Sequence, residues 1–133
     1  ADDLMNMKTG IFGYKGRVHF QSAGCMNEFI AALPTDMPKN DFYTTIAQEI
    51  DRRIYSNYLL YPGNYVAIDL LQGGETYAEH YTAEERATFE QYLAGQLNKI
   101  EMPSKDEAFL RTKMLEMYAN PALNQMSAFN QEL

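Results

Sequence analysis

Only one segment of this 133-residue chain alternates apolar and polar residues strictly enough to predict a β-strand. In residues 17–21, Val18 and Phe20 fall on one face. The other face carries Arg17, His19 and Gln21. A strand needs a neighbour, because buried backbone N–H and C=O groups must be paired. No other part of the chain alternates as clearly, so the strand is predicted either to belong to a larger α/β sheet or to pair across a dimer.

Most of the remaining chain shows helical patterns. The strongest pattern starts at Asn40, a predicted N-cap, and continues to about Tyr58 with an apolar residue at every fourth position. Further helices are predicted over residues 2–9 and from Asn64 to a stop at Gly73-Gly74. Two capping boxes, Thr82–Glu85 and Ser104–Glu107, each predict the start of a helix, and the second of these helices is predicted to end at Asn120-Pro121. A last short helix is predicted from Pro121 to about Phe129. Residues 22–39 are predicted as a loop with one helical turn around 27–30. The predicted fold class is therefore mainly α, with five or six helices and one N-terminal strand at about 17–21.

Composition excludes several classes of function. The net charge of −7 argues against nucleic acid, and also against electrostatic docking on an anionic membrane. A single cysteine, Cys25, excludes a disulfide framework and fits a reducing, cytoplasmic setting. No apolar run is long enough to predict a transmembrane segment, and no signal peptide is predicted. The first residue is Ala1 instead of methionine, which processing or a longer parent chain would explain.

Several residues fit a chemical role, but each has a simpler interpretation that we favour. His19 fits a general base, or an ordinary surface histidine. His80 precedes Glu85 by five positions, yet Glu85 is already assigned to a capping box. The run Asp51-Arg52-Arg53 fits a phosphate clamp or a solvated helix face. Cys25 fits a nucleophile or a small semi-buried residue. Because the simpler interpretation is favoured for each of these residues, no catalytic, cofactor or metal site is predicted.

Four tyrosines surround the helix break at Pro62-Gly63. They are Tyr55, Tyr58, Tyr61 and Tyr65. Aromatic side chains of this kind can bind a ligand or a partner, and they can equally serve to pack two helices together. They are the candidate ligand or partner surface of the chain.

Two segments resemble bacterial proteins of the glycerol-phosphate and lysophosphatidate acyltransferase superfamily. The first is Met7–Phe20, which contains Thr9-Gly10-Ile11 and Lys15-Gly16-Arg17-Val18-His19, and the second is Ile50–Ala67. Tyr118-Ala119-Asn120-Pro121 matches the end of the C-terminal stretch of these proteins. After the strand, relatives continue with a turn containing Phe-Gly and Pro-Leu, whereas this chain has Ser22-Ala23-Gly24-Cys25.

The resemblance implies a parent enzyme that transfers an acyl group from a thioester carrier to a glycerolipid hydroxyl. Its His-x4-Asp and Phe-Pro-Glu-Gly motifs would lie upstream, so no catalytic residue carries over, and acyl thioester and glycerolipid would bind only to the parent protein. Residues 1–39 would be the end of the α/β domain, and residues 40–133 a helical C-terminal extension. This chain alone is then expected to be inactive, with the rest of the parent domain as its partner. A peripheral association of the parent with the inner membrane stays open. The alternative is a self-contained helical module that binds a protein or a ligand.

Overall fold

The computed structural model describes residues 2–13 and 16–130, and it is mainly α-helical, as predicted. Six α-helices follow one another: α1 (Asp2–Phe12), α2 (Asn27–Ala32), α3 (Lys39–Asn57), α4 (Pro62–Gln72), α5 (Ala83–Asn98) and α6 (Glu107–Asn130). One turn of 3₁₀ helix, Ala78–His80, lies between α4 and α5. No helix among the described residues has both the length and the apolar character needed to cross a membrane.

The strand predicted at residues 17–21 is not present. Residues 16–25 have no regular secondary structure, and the described parts of the chain contain no β-strand. The physical reason is the absence of a pairing partner: a single strand has no ladder hydrogen bonds to hold it. Val18 and Phe20 consequently face solvent, with 62% and 89% of their surfaces exposed.

Helix α4 forms the centre of the core. Val66, Ala67 and Ile68 are buried in succession on this short helix, so it has no solvent-facing stripe in that turn. A helix that is apolar all round must be covered on several sides. Helix α6 covers it most extensively, and α5 and the 3₁₀ turn complete the enclosure. The residues that pack against it include Phe89 and Leu93 from α5, and Leu115, Ala119 and Ala122 from α6.

The ends of α4 and the start of α5 follow the local sequence closely. Gly73 ends α4 with a left-handed φ of 69°, as predicted for a C-terminal glycine. The capping box before α5 is confirmed, because the Thr82 hydroxyl accepts the Glu85 amide and the Glu85 carboxylate accepts the Thr82 amide. Asn64 is not the N-cap of α4, since the helix starts two residues earlier at Pro62. Its side chain instead accepts the amide of Tyr61 at 2.8 Å.

The second predicted capping box is wrong. Ser104 has a φ of 54°, whereas an N-cap residue normally adopts a β-region conformation. The side chain of Asp106 caps the helix instead, accepting the Phe109 amide at 2.9 Å.

The predicted helix end at Asn120-Pro121 is also wrong, because α6 continues through Pro121 to Asn130. Proline removes one amide from a helix and its ring disturbs the carbonyl one turn earlier. Two side chains from outside α6 donate to carbonyls near the Met117 carbonyl, which is the one that loses its amide partner to Pro121. Asn64 Nδ2 donates to the Tyr118 carbonyl at 2.8 Å, and the Tyr58 hydroxyl donates to the Pro121 carbonyl. These two contacts hold α6 to α4 and to the end of α3 at the proline.

The N-terminal part of the chain packs differently from the helical body, which is formed by α3, α4, α5 and α6. Helix α1 makes no substantial contact with another described helix. Its larger apolar side chains are exposed, namely Leu4, Met5, Met7, Ile11 and Phe12. Helix α3, by contrast, packs along α6. The core therefore consists of α4, α5 and α6, with α3 against one side.

Candidate functional site

The structure separates the four candidate tyrosines into three places. Tyr55 and Tyr58 contact each other edge to face, with ring centroids 6.3 Å apart, between α3 and α6. Tyr65 lies elsewhere, stacked on His80 with 4.0 Å between ring centroids. Tyr61 lies in a third environment, at the entrance to α4. The four residues therefore do not form one surface.

Tyr55 and Tyr58 are occupied by helix packing. Gln125 Nε2 donates to the backbone carbonyls of both residues, at 2.8 and 2.9 Å. The Tyr58 hydroxyl is bonded to the Pro121 carbonyl, and burial raises the pKa of this phenol. The packing interpretation therefore accounts for these two tyrosines.

Tyr61 lines an open groove of about 490 Å³ between the start of α4, the start of α5 and residues 16–17. Its walls are largely aromatic, formed by Tyr61, Phe89 and Tyr92, and Tyr118 lies beside the same space. We call these four rings and the space between them the aromatic groove. Gly63 lies at its floor, where an added Cβ would come within 2.9 Å of the Phe89 ring. A glycine at this position therefore allows Phe89 to approach the α4 backbone.

Charged side chains of both signs line the aromatic groove. The Arg17 guanidinium lies over the Tyr61 ring, 5.7 Å from its centroid, which is the geometry of a cation–π contact. Glu84 and Glu85 line the same groove at the first turn of α5. Glu85 is fixed there by the capping box, because its carboxylate accepts both the amide and the hydroxyl of Thr82. The groove therefore combines aromatic walls with two carboxylates and one cation.

Tyr92 and Tyr118 are joined through their hydroxyls, which are 2.9 Å apart. Burial, followed by the hydrogen bond to Tyr92, raises the pKa of Tyr118 well above its ordinary value. Phe89 meets the Tyr118 ring edge to face with 5.2 Å between centroids. These contacts hold the walls of the aromatic groove in place.

Asp69 is a buried carboxylate in the core, with 1% of its surface exposed. It accepts the Tyr77 amide at 3.1 Å and the Tyr81 hydroxyl at 2.7 Å. The hydrogen bond to Asp69 is the main cause of a raised pKa at Tyr81. A buried acid with these partners anchors the loop between α4 and α5, because both donors belong to that loop.

The run Asp51-Arg52-Arg53 is not available as a simple phosphate clamp. Arg52 and Arg53 both pair with Glu49, at 2.7 and 2.6 Å. Arg53 also donates to the carbonyls of Gly24 and Cys25. The hydrogen bond from Arg52 is the largest cause that lowers the pKa of Glu49, which falls to about 2. Arg53 therefore ties the connecting segment to α3.

The other candidate residues lie apart from the aromatic groove. His19 is exposed and borders a small cavity with Phe20, Arg53 and Tyr58. Cys25 is exposed, and only its backbone carbonyl is engaged by Arg53. The ring of His80 is taken up by its stack on Tyr65. None of the described residues forms a group of three histidine, cysteine or carboxylate side chains suited to a metal ion.

Reasoning from sequence missed most of the groove. Phe89, Tyr92 and Tyr118 belong to helices far from Tyr61 in the chain, and their helical spacing indicated only core packing. The sequence signal for the groove was Gly63, close to Tyr61, because a glycine leaves room for an aromatic ring to pack against the backbone. Asp69 had a comparable signal, as the one acid in an otherwise apolar helix.

Comparison with known proteins adds no relative. No protein-family model, curated protein or solved structure matches this chain.

Proposed function

We propose that this chain is the non-catalytic C-terminal portion of a glycerolipid acyltransferase. In this proposal, residues 17–21 form a strand at the edge of the catalytic domain's sheet, and residues 40–133 form a helical extension. The parent enzyme transfers an acyl group from a thioester to a glycerolipid hydroxyl. The chain contributes a structural part and has no acyl transfer activity by itself.

The observation that carries the proposal is the exposure of Val18 and Phe20, which alternate with polar residues at strand spacing. Addition to a sheet edge would pair the backbone of this segment and cover its apolar face together. At about 25 cal/mol for each Å² of apolar surface buried, two such side chains contribute a few kcal/mol to docking. The larger apolar side chains of α1 are exposed as well.

A second line of support is the order of the matching segments. Met7–Phe20 covers the second half of α1 and most of the proposed strand, and Ile50–Ala67 covers the end of α3 and the start of α4. Tyr118–Pro121 is the point where α6 receives hydrogen bonds from Tyr58 and Asn64. Both donors lie in the second matching segment, so two resembling segments contact each other in the fold.

The first experiment measures the intact mass of the gene product and assays acyl transfer to a lysophosphatidate. We expect a product larger than this chain, active only when the upstream part is present. A product of this mass alone, or acyl transfer by this chain alone, would exclude the proposal.

The second experiment tests the strand within the intact product. Val18→Pro removes a ladder amide and should reduce soluble, active enzyme severalfold. The matched variant Ser22→Pro lies just outside the proposed strand and should have a much weaker effect. Equal effects of the two substitutions would argue against pairing at residues 17–21.

A self-contained helical module is the second candidate, and the same exposed segment supports it. Residues 17–21 of two copies would then pair across a two-fold axis. Light scattering after size exclusion distinguishes the candidates, because this arrangement requires a dimer of the isolated chain that Val18→Pro dissociates. A monomer at all concentrations would exclude it.

A further inference from the structure

The aromatic groove contains a cation that belongs to the chain itself. Arg17 is in the irregular segment 16–25, and its guanidinium lies over Tyr61. No helix or strand holds this residue in position, so the contact depends on the groove. The internal guanidinium shows which chemistry the groove accommodates.

We propose that the aromatic groove is a receptor for the guanidinium group of an arginine-bearing ligand, and that Arg17 occupies this position until such a ligand displaces it. The aromatic rings of the groove do not depend on the acyltransferase proposal, because they come from α5, α6 and the residue before α4; Gly16 and Arg17 complete the lining. A partner peptide that presents an arginine is the occupant to which the site is matched.

Charge complementarity supports a cationic occupant. Glu84 and Glu85 are the acidic residues of the groove, and Arg17 is its basic residue. With Arg17 displaced, the lining retains two carboxylates and four aromatic rings. Aromatic faces attract cations electrostatically, and carboxylates at the rim add to this attraction. An anionic ligand would meet repulsion from both glutamates, so phosphate and carboxylate ligands are disfavoured.

Geometry supports a planar group in particular. A guanidinium can stack flat on a ring while its N–H groups point outward to acceptors. The fixed carboxylate of Glu85 and the exposed carboxylate of Glu84 lie on the α5 side of the groove. Tyr61 forms the opposite side, next to α4. Both glutamates therefore line the same groove as Tyr61, although neither forms an ion pair with Arg17 in its position over the ring.

The test uses N-acetyl-argininamide as the ligand and N-acetyl-citrullinamide as its neutral, nearly isosteric control. Both are titrated into the full chain while the NMR signals of Tyr61, Phe89 and Tyr92 are recorded. The arginine compound is expected to shift these signals in a saturable way, and the citrulline compound is not. Equal shifts with both compounds, or none with either, would overturn the proposal.

Protein variants test the displacement of Arg17. Arg17→Gln removes the internal competitor and should tighten binding by about two- to fivefold, the range expected for one exposed cation–π contact. Tyr61→Phe retains the ring and should bind more tightly than Tyr61→Leu does. Tyr61→Leu should weaken binding, with unchanged core signals showing that the fold is intact. Weaker binding in Arg17→Gln would show that Arg17 belongs to the receptor, and the displacement idea would be wrong.

Discussion

The helical body and the N-terminal part of this protein use similar apolar residues with opposite outcomes. In α4, α5 and α6 the apolar side chains are enclosed, as Leu115 is with 2% of its surface exposed. In α1 and residues 16–25 they face solvent, as Leu4 does with 75% exposed. The difference lies in what surrounds each segment, since helix α4 is covered from several sides and α1 is not. Apolar content alone therefore does not locate a core.

The largest expected difference between the two regions comes from one pair of matched substitutions. Leu115→Ala should reduce the free energy of unfolding by about 2–5 kcal/mol, because it removes buried contacts and leaves a cavity. Leu4→Ala should change it by no more than about 0.5 kcal/mol, because the side chain is already in water. Urea denaturation measures both. A comparable loss in both variants would show that α1 packs against the body in solution.

The next largest effect on stability is expected at Asp69, the buried carboxylate of the helical body. Tyr81→Phe removes a hydrogen bond to the Asp69 carboxylate and should cost about 1.5–3 kcal/mol of stability. Tyr43→Phe is the control, since the Tyr43 side chain is largely exposed on α3. Thermal or urea unfolding measures the two variants. Equal stability losses in Tyr81→Phe and Tyr43→Phe would show that the Tyr81 hydroxyl does not stabilise the buried Asp69 carboxylate.

Two glycines should respond to the same substitution with opposite signs. Gly63→Ala places a Cβ against the Phe89 ring and should destabilise the protein by about 1–3 kcal/mol. Gly95→Ala has open space at its Cβ within α5 and should stabilise by about 1 kcal/mol through helix propensity. Urea midpoints decide the signs. An unchanged free energy of unfolding in Gly63→Ala would mean that Phe89 moves easily, and that this wall of the aromatic groove is not rigid.

The smallest effect belongs to the ion pairs of Glu49 with Arg52 and Arg53 within α3. The pKa of Glu49 is lowered to about 2 from an ordinary value of 4.5. A lowered pKa in the folded protein means that its stabilisation is present above pH 4.5 and is lost as the pH falls toward 2. Glu49→Gln should therefore flatten the stability profile in this range, with a loss of about 0.5–1 kcal/mol at neutral pH.

Glu107→Gln is the control for the pH experiment. Glu107 is 74% exposed at its side chain and reaches one lysine at 3.6 Å, so its removal should leave the profile nearly unchanged. Unfolding free energies measured between pH 2 and 6 compare the two variants. An unchanged profile in Glu49→Gln would show that Arg52 and Arg53 do not hold this carboxylate in solution.

Local signals predicted much of the helical body. Thr82 with Glu85, Gly73 and the four-residue spacing along α3 each specify structure through neighbouring residues, and each is found in the fold. The continuation of α6 through Pro121 was not predictable in this way, because proline is a local stop signal and the side chains that hold α6 there, Tyr58 and Asn64, are distant in sequence. The aromatic groove depends on the same kind of distant contact. The strand at residues 17–21 needs a partner, and no local pattern can supply one.

Pro121 divides α6 into two halves that face different neighbours. The half before it contacts α5 through Tyr118, and the half after it reaches α3 through Gln125. Pro121 removes one of the backbone hydrogen bonds that link the two halves, the one to the Met117 carbonyl. Tyr58 and Asn64 add contacts from the side at this weakened point, so cooperativity between the halves depends on them as well as on the helix axis. Loss of those two side chains would allow the end of α6 to open with α3 as one unit, in amide exchange separable from the opening of α4 and α5.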